Sequence, residues 1–262
     1  MQEKTGHDLS LQESCDLYSK YVNRQWVKLL SVLDMNVYYV RCSGSKLYAE
    51  DGTCYTDFLS GYCVQNVGHN HPFIADAIRD ELNRQGPLIL QSLVPPHAAC
   101  LAKRLVDLAA GSLECAFFTN TGSEGVETAI KFARVHTKRP GIIACLGAFH
   151  GASYGAMSIM RDESWLGGCG PFLSDTECIP YLDLEQLEKH LKTKRFAAFI
   201  VEGIQSEAGL RYLSKEIFQK VEKLCRQYGT LLVMDEVQTG IFRTGKFLIS
   251  HHYEIQPDMV IL

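Results

Sequence analysis

Short apolar runs that alternate with helical segments constrain the fold of this chain more than any other feature. The runs are 115–119, 142–146, 196–202, 230–236 and, at the end of the sequence, 259–262. Segments with a helical pattern precede the first four runs, at 97–109, 123–137, 183–193 and 215–228. The runs lack the alternation of a half-exposed strand, so they predict strands that are buried on both faces. Such strands, separated by helices, predict an α/β fold with a mostly parallel sheet and helices on both faces.

The N-terminal part of the chain has a different pattern. Residues 9–34 carry apolar side chains at spacings of three and four, which predicts an amphipathic helix. Residues 36–59 contain short β-rich pieces interrupted by glycine-containing turns, which predicts a small antiparallel meander. Residues 73–85 predict a further helix, with Pro72 at its start.

These patterns predict two domains. Residues 1–66 form an N-terminal segment with a helix and a β-meander, and residues 67–262 form a large α/β domain. The last apolar run, MVIL, is a core strand with no turn or helix after it. Natural domains rarely finish on such a strand, so we expect the large domain to be incomplete at its C-terminus.

Composition and charge exclude several classes of function. The formal net charge is −4 and no stripe of Lys and Arg interleaves with aromatic residues, which argues against a nucleic-acid partner. No apolar run approaches the roughly 18 residues of a membrane span, and the N-terminus is too polar for a signal peptide, so we expect a cytoplasmic protein. The 10 cysteines are scattered without a C-x-x-C pair, which predicts reduced, mostly buried thiols and no metal site.

Polar residues cluster at the ends of four predicted strands, where open α/β sheets bind ligands. The clusters are 119–124 (TNTGSE), 147–151 (GAFHG), 201–209 (VEGIQSEAG) and 235–240 (DEVQTG). The first can form a phosphate-binding turn at a helix start, or simply a helix cap in which Ser123 caps the helix. In the second, Phe149 can present its ring to a flat cofactor with His150 beside it, or can be an ordinary core residue. The third can bind a ligand's polar groups or form a satisfied loop.

Asp235 ends a strongly apolar strand, so a cation or a hydrogen-bond donor is expected to compensate its desolvation. Two cations fit, a metal ion and a protonated heterocyclic nitrogen. The metal alternative corresponds to a P-loop-like ATPase, because residues 240–246 have the spacing of a phosphate-binding glycine loop. However, Phe247 stands where that loop needs a Ser or Thr hydroxyl, and the loop follows the acidic strand instead of opening its own strand-to-helix turn.

Taken together and in order, the motifs TNTGSEGVETAIKFAR, GAFHG, VEGIQSEAG and DEVQTGIFRTGKF resemble those of the class III (ornithine and acetylornithine type) aminotransferases. The upstream stretch YAEDGTCYTDFLSGYCVQNVGHNHPFI resembles the N-terminal segment of the same family, so the likeness runs from about residue 35 to the end. The resemblance implies a fold type I transferase that uses pyridoxal 5′-phosphate (PLP). It implies an amino group moved from an amine or amino acid to a keto acid, and a homodimer.

The resemblance also implies how the cofactor is held. Gly122 and Ser123 would bind its phosphate, with Thr121 nearby. Phe149 would stack on one face of the ring and Val237 would pack on the other.

Other matching positions would contact the cofactor's polar atoms and the substrate. Asp235 would pair with the ring nitrogen, and Gln238 would reach the ring hydroxyl. Glu202 and Glu207 would lie beside the cofactor and the amino-donor site, Glu207 on the substrate side, and Tyr62 would contact the amino donor.

The catalytic lysine of the family follows an apolar run like PDMVIL after one small residue, which places it at position 264, beyond Leu262. Lys246 lies in the loop after the aspartate strand and is expected to be structural or exposed. We therefore expect the 262-residue chain to lack transaminase activity. A non-catalytic fragment or pseudoenzyme is the alternative.

One departure from the family pattern bears on the substrate. In ornithine-type members an arginine that can grip a carboxylate commonly follows the GAFHG-like motif, whereas here Ala152 follows Gly151. Without this guanidinium the site lacks a bidentate carboxylate clamp. This favours an amine or polyamine donor, or a carrier-bound substrate, over an α-amino acid bound in that way.

Overall fold

The structure, a computed structural model, describes residues 5–87 and 92–262. The described residues within Met1–Gly61 and Val67–Gly86 form one compact unit, and those within Tyr62–Asn66 and Pro87–Leu262 form a second. Residues 1–4, part of the predicted polar N-terminus, lie outside the described residues. The domain boundary after residue 66 stays a prediction.

The first unit begins with two helices where one was predicted. After a 3₁₀ turn at Gly6–Asp8, the helices are α1 (Leu11–Tyr21) and α2 (Arg24–Val32). The backbone of Asn23 is extended, and its side-chain oxygen accepts a hydrogen bond from the backbone N–H of Trp26 at 3.0 Å. The single helix over 9–34 is therefore wrong, because Asn23 caps and starts a second helix while the apolar spacing continues through the break.

The predicted meander is confirmed. Strands β1 (Tyr39–Ser43), β2 (Lys46–Ala49) and β3 (Cys54–Thr56) pair in that order, and both pairs are antiparallel. The single-turn helix α3 (Ser60–Cys63) and the helix α4 (Pro72–Asn83) follow. Pro72 is the first residue of α4, as expected from its fixed φ and missing N–H.

The second unit is an α/β structure around one sheet. Its helices are α5 (Pro96–Ala109), α6 (Gly122–Thr137), α7 (Tyr154–Ser158), α8 (Glu163–Leu166), α9 (Leu184–Leu191), α10 (Lys215–Tyr228) and α11 (Ser250–Tyr253). Its sheet strands are β4 (Gly141–Cys145), β5 (Thr176–Ile179), β6 (Phe196–Glu202), β9 (Leu231–Asp235) and β10 (Met259–Ile261). They are ordered β10-β9-β6-β4-β5 and all pairs are parallel. A small antiparallel pair, β7 (Ile204–Gln205) and β8 (Arg211–Tyr212), lies outside this sheet.

The five-stranded sheet is buried on both faces, as the apolar runs predicted. Along β6, Phe199 and Val201 belong to one core cluster, with Phe218 of α10. Ala198 and Ile200 belong to the cluster on the opposite face. Because consecutive side chains of a strand point to opposite faces, only an apolar residue at every position satisfies both clusters.

One predicted strand is not formed. Residues 115–119 have no regular secondary structure and pair with no strand in the described part of the chain, and Phe117 is 67% exposed. They line a cavity of about 500 Å³ together with β10. A strand needs a hydrogen-bonded neighbour, and an apolar run alone does not provide one. The fifth strand of the sheet is instead β5, a short edge strand that the sequence pattern did not predict.

The expectation that the cysteines are mostly buried is wrong. All are free, but only Cys145 and Cys225 are buried, on β4 and α10. The exposed cysteines are Cys54, Cys100, Cys115 and Cys169. Cys54 lies on the edge strand β3 and Cys115 in the unpaired segment, so no core covers them.

Within residues 5–87 and 92–262, no helix combines the length and the apolar character that crossing a membrane requires.

Glu236 fixes the segment that begins α11. Its side chain is buried and accepts hydrogen bonds from the backbone N–H of Ile249 at 2.5 Å, from the N–H of Ser250 at 3.1 Å and from the Ser250 hydroxyl at 2.8 Å. Burial raises the pKa of Glu236, and these hydrogen bonds oppose the shift. The carboxylate therefore satisfies donors at a helix start that has no other capping side chain.

We predict that Glu236→Gln destabilises the fold. The amide can accept at one oxygen only, so its NH₂ faces a backbone donor and a buried N–H loses its partner, which costs about 1–3 kcal/mol. Urea unfolding followed by circular dichroism measures this cost. The control is Glu185→Gln in the first turn of α9, where the side chain is exposed and the change should stay within about 0.5 kcal/mol. Equal stability of the two variants would contradict the assigned role.

Candidate active site

Three neighbouring strands bring most of the predicted site residues to one edge of the sheet. The loop that contains Phe149 and His150 follows β4, Glu202 is the last residue of β6, and Asp235 is the last residue of β9. These strands are adjacent and parallel, so their carboxyl ends lie at the same edge. Glu202 and Asp235 are direct neighbours in the strand register. Two carboxylates therefore lie side by side.

Asp235 is hydrogen-bonded by groups of its own chain. Its Oδ2 lies 2.7 Å from Nδ1 of His150, and its Oδ1 accepts the backbone N–H of Val237 at 3.2 Å. Both side chains of the His150–Asp235 pair are buried. The sequence predicted a cation or donor for Asp235 but did not identify His150 as that donor, because the two residues are separated by 85 positions.

His150 is buried in this cluster. Burial lowers its pKa, but the hydrogen bond with Asp235 and the charges of Asp235 and Glu202 outweigh that effect, so the pKa of His150 is raised. Its second ring nitrogen, Nε2, is buried and has no hydrogen-bond partner among the described residues. The backbone N–H of His150 donates to the sulfur of Met160 at 3.2 Å. The imidazole is thus held by its neighbours and contacts Asp235 through Nδ1 alone.

Glu202 is the second buried carboxyl group. Its Oε1 accepts the backbone N–H of Phe149 at 3.0 Å, which connects β6 to the loop after β4. Burial raises the pKa of Glu202 to about 7, and the charge of Asp235 adds to the shift, whereas His150 and the Phe149 N–H oppose it. At neutral pH the protonated and the ionised form of Glu202 are therefore both populated.

The turn before α6 lies next to the aspartate strand. Thr121 is the N-cap, and its hydroxyl accepts the N–H of Glu124 at 3.2 Å. The alternative in which Ser123 caps the helix is wrong, because Ser123 lies inside the first turn and its hydroxyl accepts the N–H of Ala152 at 3.3 Å. A Cβ placed on Gly122 would lie only 2.9 Å from Cγ2 of Val237. The absence of a side chain there allows the turn to approach the residues that follow Asp235.

Phe149 is half-buried, and its ring has an aromatic neighbour that the sequence did not reveal. The ring of Trp165, on the short helix α8, lies 4.7 Å from it between centroids at an interplanar angle of 56°. Trp165 remains 45% exposed. The ring of Phe149, on the loop after β4, therefore packs against the ring of Trp165 on α8.

The remaining predicted site residues are more exposed than His150, Glu202 and Asp235. Val237 and Gln238 are half-buried, while Glu207 is exposed and Tyr62 is 63% exposed. The segment that contains Tyr62 is held against the loop after β9. The side-chain amide of Asn66 donates to the carbonyl of Ile241 at 2.6 Å. The predicted roles of these side chains stay predictions.

The glycine loop at 240–246 does not have the surroundings of a nucleotide-binding loop. No helix starts directly after it, and Phe247 is buried. Lys246 Nζ donates to the backbone carbonyl of His251 at 3.1 Å. Within residues 5–87 and 92–262, no group of three or more His, Cys, Asp or Glu side chains is arranged to hold a metal ion.

The cluster fits the cofactor that the resemblance implies. The N-terminus of the 16-residue helix α6, with its free N–H groups, suits a phosphate. Asp235 is a buried carboxylate with lone pairs left after its two hydrogen bonds, and it suits a protonated ring nitrogen. The start of α6 and the segment after Asp235 lie together, because Gly122 is in close contact with Val237. A planar ring that carries a phosphate satisfies both features at once.

Comparisons with known proteins agree with this geometry. A protein-family model described as aminotransferase class-III matches residues 30–262. The chain is 35% identical to aminotransferase PigE of a Serratia species over 98% of this chain and 30% of that protein. It is also 35% identical to putrescine aminotransferase of Pectobacterium atrosepticum over 96% of this chain and 56% of that protein.

Solved structures show the same likeness. Ornithine aminotransferase from Toxoplasma gondii superposes with a TM-score of 0.85 at 27% identity, over 98% of this chain and 63% of that one. Taurine:2-oxoglutarate aminotransferase from Bifidobacterium kashiwanohense, in complex with PLP and glutamate, gives 0.84 at 28% identity, over 99% and 62%. The chain thus spans less than two thirds of the length of each of these proteins.

We predict that Glu202→Gln changes how stability depends on pH. A carboxyl group whose pKa is raised in the fold binds a proton more tightly there than in the unfolded chain. Its ionisation therefore destabilises the fold progressively from about pH 4.5 to about pH 7, by up to about 3 kcal/mol. Gln cannot ionise, and its oxygen still accepts the Phe149 N–H. The variant should gain stability relative to wild type as the pH rises through this range.

Thermal unfolding at several pH values between 5 and 8 measures this difference. Glu207→Gln, an exposed carboxylate in the same segment, is the matched control and should follow the wild-type profile. The raised pKa of His150 acts in the same direction, so part of the wild-type slope will remain in the variant. Parallel profiles for Glu202→Gln and wild type would show that Glu202 ionises as freely in the fold as in the unfolded chain.

Proposed function

The chain belongs to the class III aminotransferases, and on that premise we propose that the protein moves an amino group from an amine or amino acid to a keto acid with PLP as cofactor. The proposal rests on one observation: the start of α6 and the buried carboxylate of Asp235 lie close together at one edge of the sheet. The start of α6 lies in contact with Val237, two residues from the buried carboxylate of Asp235. A phosphate site and a partner for a ring nitrogen are thus within one small region.

When bound, PLP supplies an electron-withdrawing ring that stabilises negative charge developing on the substrate carbon. The chain's own residues hold and polarise that ring. The carboxylate of Asp235 would accept a hydrogen bond from the ring nitrogen and favour the protonated form of the ring. Gly122 and Ser123 would hold the phosphate at the positive end of α6, with Thr121 beside it.

The other proposed contacts orient the ring and the substrate. Phe149 and Val237 would restrain the ring, and Gln238 would donate to the ring hydroxyl. Glu202 keeps the Phe149 loop in place through the N–H of Phe149. Glu207 and Tyr62, both exposed, are proposed to contact the amino donor.

We propose an amine, a polyamine or a carrier-bound amine as the donor. Ala152, where a carboxylate-binding arginine is common in the family, is exposed and carries no charge. The exposed side chains Glu207 and Trp165 offer a carboxylate and an aromatic face, which suit a cation better than a carboxylate. The similarity to a putrescine aminotransferase supports the same class of donor.

A homodimer and a cytoplasmic location complete the proposal. Large apolar side chains are exposed in both units, including Phe58 at 94% and Val94 at 85%. Apolar surface of this kind favours burial against another protein surface. A second copy of the protein is the partner we propose, and the cytoplasmic location stays a prediction.

We predict that the protein binds pyridoxamine 5′-phosphate and that Asp235→Asn weakens this binding. This form of the cofactor forms no covalent bond with the protein, so its affinity reports the non-covalent site alone. Loss of a charge-assisted hydrogen bond to the ring nitrogen should weaken binding by about tenfold to a hundredfold. Fluorescence titration gives the Kd.

Asp107→Asn, on the exposed part of α5 where Asp107 pairs with Lys103, is the control and should bind as wild type does. If Asp235→Asn is folded by circular dichroism and binds with the wild-type Kd, Asp235 does not contact the ring nitrogen. If wild type does not bind at all, the phosphate site is wrongly assigned.

We predict that an enzyme containing this chain prefers putrescine over acetylornithine as donor and that Ala152→Arg reduces this preference. The introduced guanidinium can pair with the α-carboxylate of an amino-acid donor, an interaction worth about 1–3 kcal/mol or a factor of about 5 to 150. The ratio of the kcat/KM values for putrescine and acetylornithine measures this preference. Ala152→Gln, which adds length without charge, is the control. A strong preference of wild type for acetylornithine would refute the assigned donor class.

A further inference from the structure

We propose that Arg211 determines which keto acid the site accepts: its guanidinium binds the distal carboxylate of a dicarboxylic acceptor. This inference rests on the proposed function and adds a specificity-determining residue to it. Arg211 lies two residues beyond the motif VEGIQSEAG, so the motifs of the sequence assigned it no role.

Arg211 reaches the edge of the sheet at which the predicted site residues lie. It belongs to β8, which pairs with β7, and β7 begins two residues after Glu202, the last residue of β6. Its guanidinium nitrogen Nη2 donates to the backbone carbonyl of Leu146 at 3.3 Å. Leu146 directly follows β4, so the guanidinium lies at the carboxyl end of that strand.

The order of the strands gives the separation between this guanidinium and Asp235. Strands β4 and β9 lie on either side of β6, and Asp235 ends β9. Neighbouring strands are about 4.8 Å apart, so the end of β4 is on the order of 10 Å from Asp235. A group at that distance cannot contact a ring nitrogen that is bonded to Asp235. It can contact the far end of a substrate that reacts on the opposite side of the ring.

Gly147 allows the guanidinium to lie against the loop that contains Phe149. Its φ is 77°, and a Cβ at this position would overlap Nη2 of Arg211. The guanidinium carbon also lies 6.0 Å from the ring centroid of Tyr181. The Tyr181 hydroxyl donates to the carbonyl of Gly203 at 3.0 Å, which fixes this ring at the start of the hairpin. An aromatic ring and backbone groups therefore place Arg211.

The guanidinium retains hydrogen-bond donors for a ligand. Arg211 is exposed, and in the described part of the chain no Asp or Glu side chain forms an ion pair with it. By contrast, the exposed guanidinium of Arg195 is paired with Asp175 at 2.7 Å. The bond to Leu146 uses one of the five N–H groups of Arg211. A planar carboxylate can accept two of the others at once.

A keto acid requires a cationic group that an amine donor does not. Ala152 provides no guanidinium after the GAFHG motif, and residues 146–152 contain neither Lys nor Arg. The hairpin 203–212 contains one basic side chain, which is Arg211. Arg211 is therefore the guanidinium that these two segments offer to a carboxylate.

The experiment compares acceptors with and without a distal carboxylate. In an enzyme containing this chain, kcat/KM is measured for 2-oxoglutarate and for pyruvate with wild type, Arg211→Gln and Arg211→Lys. We expect Arg211→Gln to lower kcat/KM for 2-oxoglutarate by about tenfold to a hundredfold, because charge-assisted hydrogen bonds to the second carboxylate are lost. The value for pyruvate should fall by less than about threefold. Arg211→Lys keeps the charge without the paired N–H groups and should lie between wild type and Arg211→Gln.

The matched control is Arg195→Gln, which removes an exposed guanidinium next to the first residue of β6, at the opposite edge of the sheet. Its ratio of the two kcat/KM values should equal that of wild type. For Arg211→Gln, an equal loss with both acceptors would mean that Arg211 only supports the loop after β4, and an unchanged ratio would mean that it does not bind the distal carboxylate. Either result overturns the inference. Circular dichroism shows whether each variant is folded.

A binding measurement on the 262-residue chain needs no turnover and does not depend on the folding of Arg211→Gln. The Nε–H signal of Arg211 in nitrogen–proton NMR spectra, identified by its loss in Arg211→Lys, should shift when 2-oxoglutarate is added. The uncharged dimethyl ester of 2-oxoglutarate should leave it in place. No shift, or an equal shift of the Arg195 signal, refutes a carboxylate site at Arg211.

The NMR and kinetic measurements separate this inference from the proposed function. If an enzyme containing this chain transfers no amino group, the proposed function fails, yet the NMR shift still tests the carboxylate site. If the enzyme is active and the Arg211 signal does not respond, only the role of Arg211 fails.

Discussion

The burial of two carboxyl groups at neighbouring strand ends is the constraint around which the site is arranged. Removing a charged carboxylate from water costs several kcal/mol unless hydrogen bonds or a cation compensate it. Here the compensation for Asp235 comes from His150 and from the N–H of Val237, and that for Glu202 from the N–H of Phe149. Two of these donors belong to the loop after β4. The desolvation of the two carboxyl groups is therefore compensated only when that loop lies across the ends of β6 and β9.

The start of α6 reaches the same region because small residues permit a close approach. Gly122 packs on Val237, and Gly151, with φ of 114°, lies against Ser123. A Cβ on Gly151 would overlap the Ser123 hydroxyl oxygen. The positive end of a helix and a buried acidic pair consequently share one edge of the sheet. This combination of opposite charges suits a ligand that is anionic at one end and cationic at its ring.

The errors of the sequence predictions have physical causes. Residues 115–119 are as apolar as the true strands, but strand formation depends on a hydrogen-bonding neighbour that local sequence does not describe. The break between α1 and α2 depends on the cap at Asn23, while the apolar spacing on both sides of it is continuous. For the cysteines, burial was expected from the residue type alone. Cys54 and Cys115 lie where no second layer covers them.

The sequence by itself determined the parallel sheet, the strand-end location of the polar clusters and the family, because apolar runs between helices and ordered motifs are local features of the chain. Only the tertiary structure decided which polar groups meet. The bond between His150 and Asp235 spans 85 positions, and the packing of Trp165 on Phe149 and the raised pKa of Glu202 depend on loop positions and burial. Hydrogen bonds between distant residues follow from strand register and loop geometry, and neither can be read from residue order.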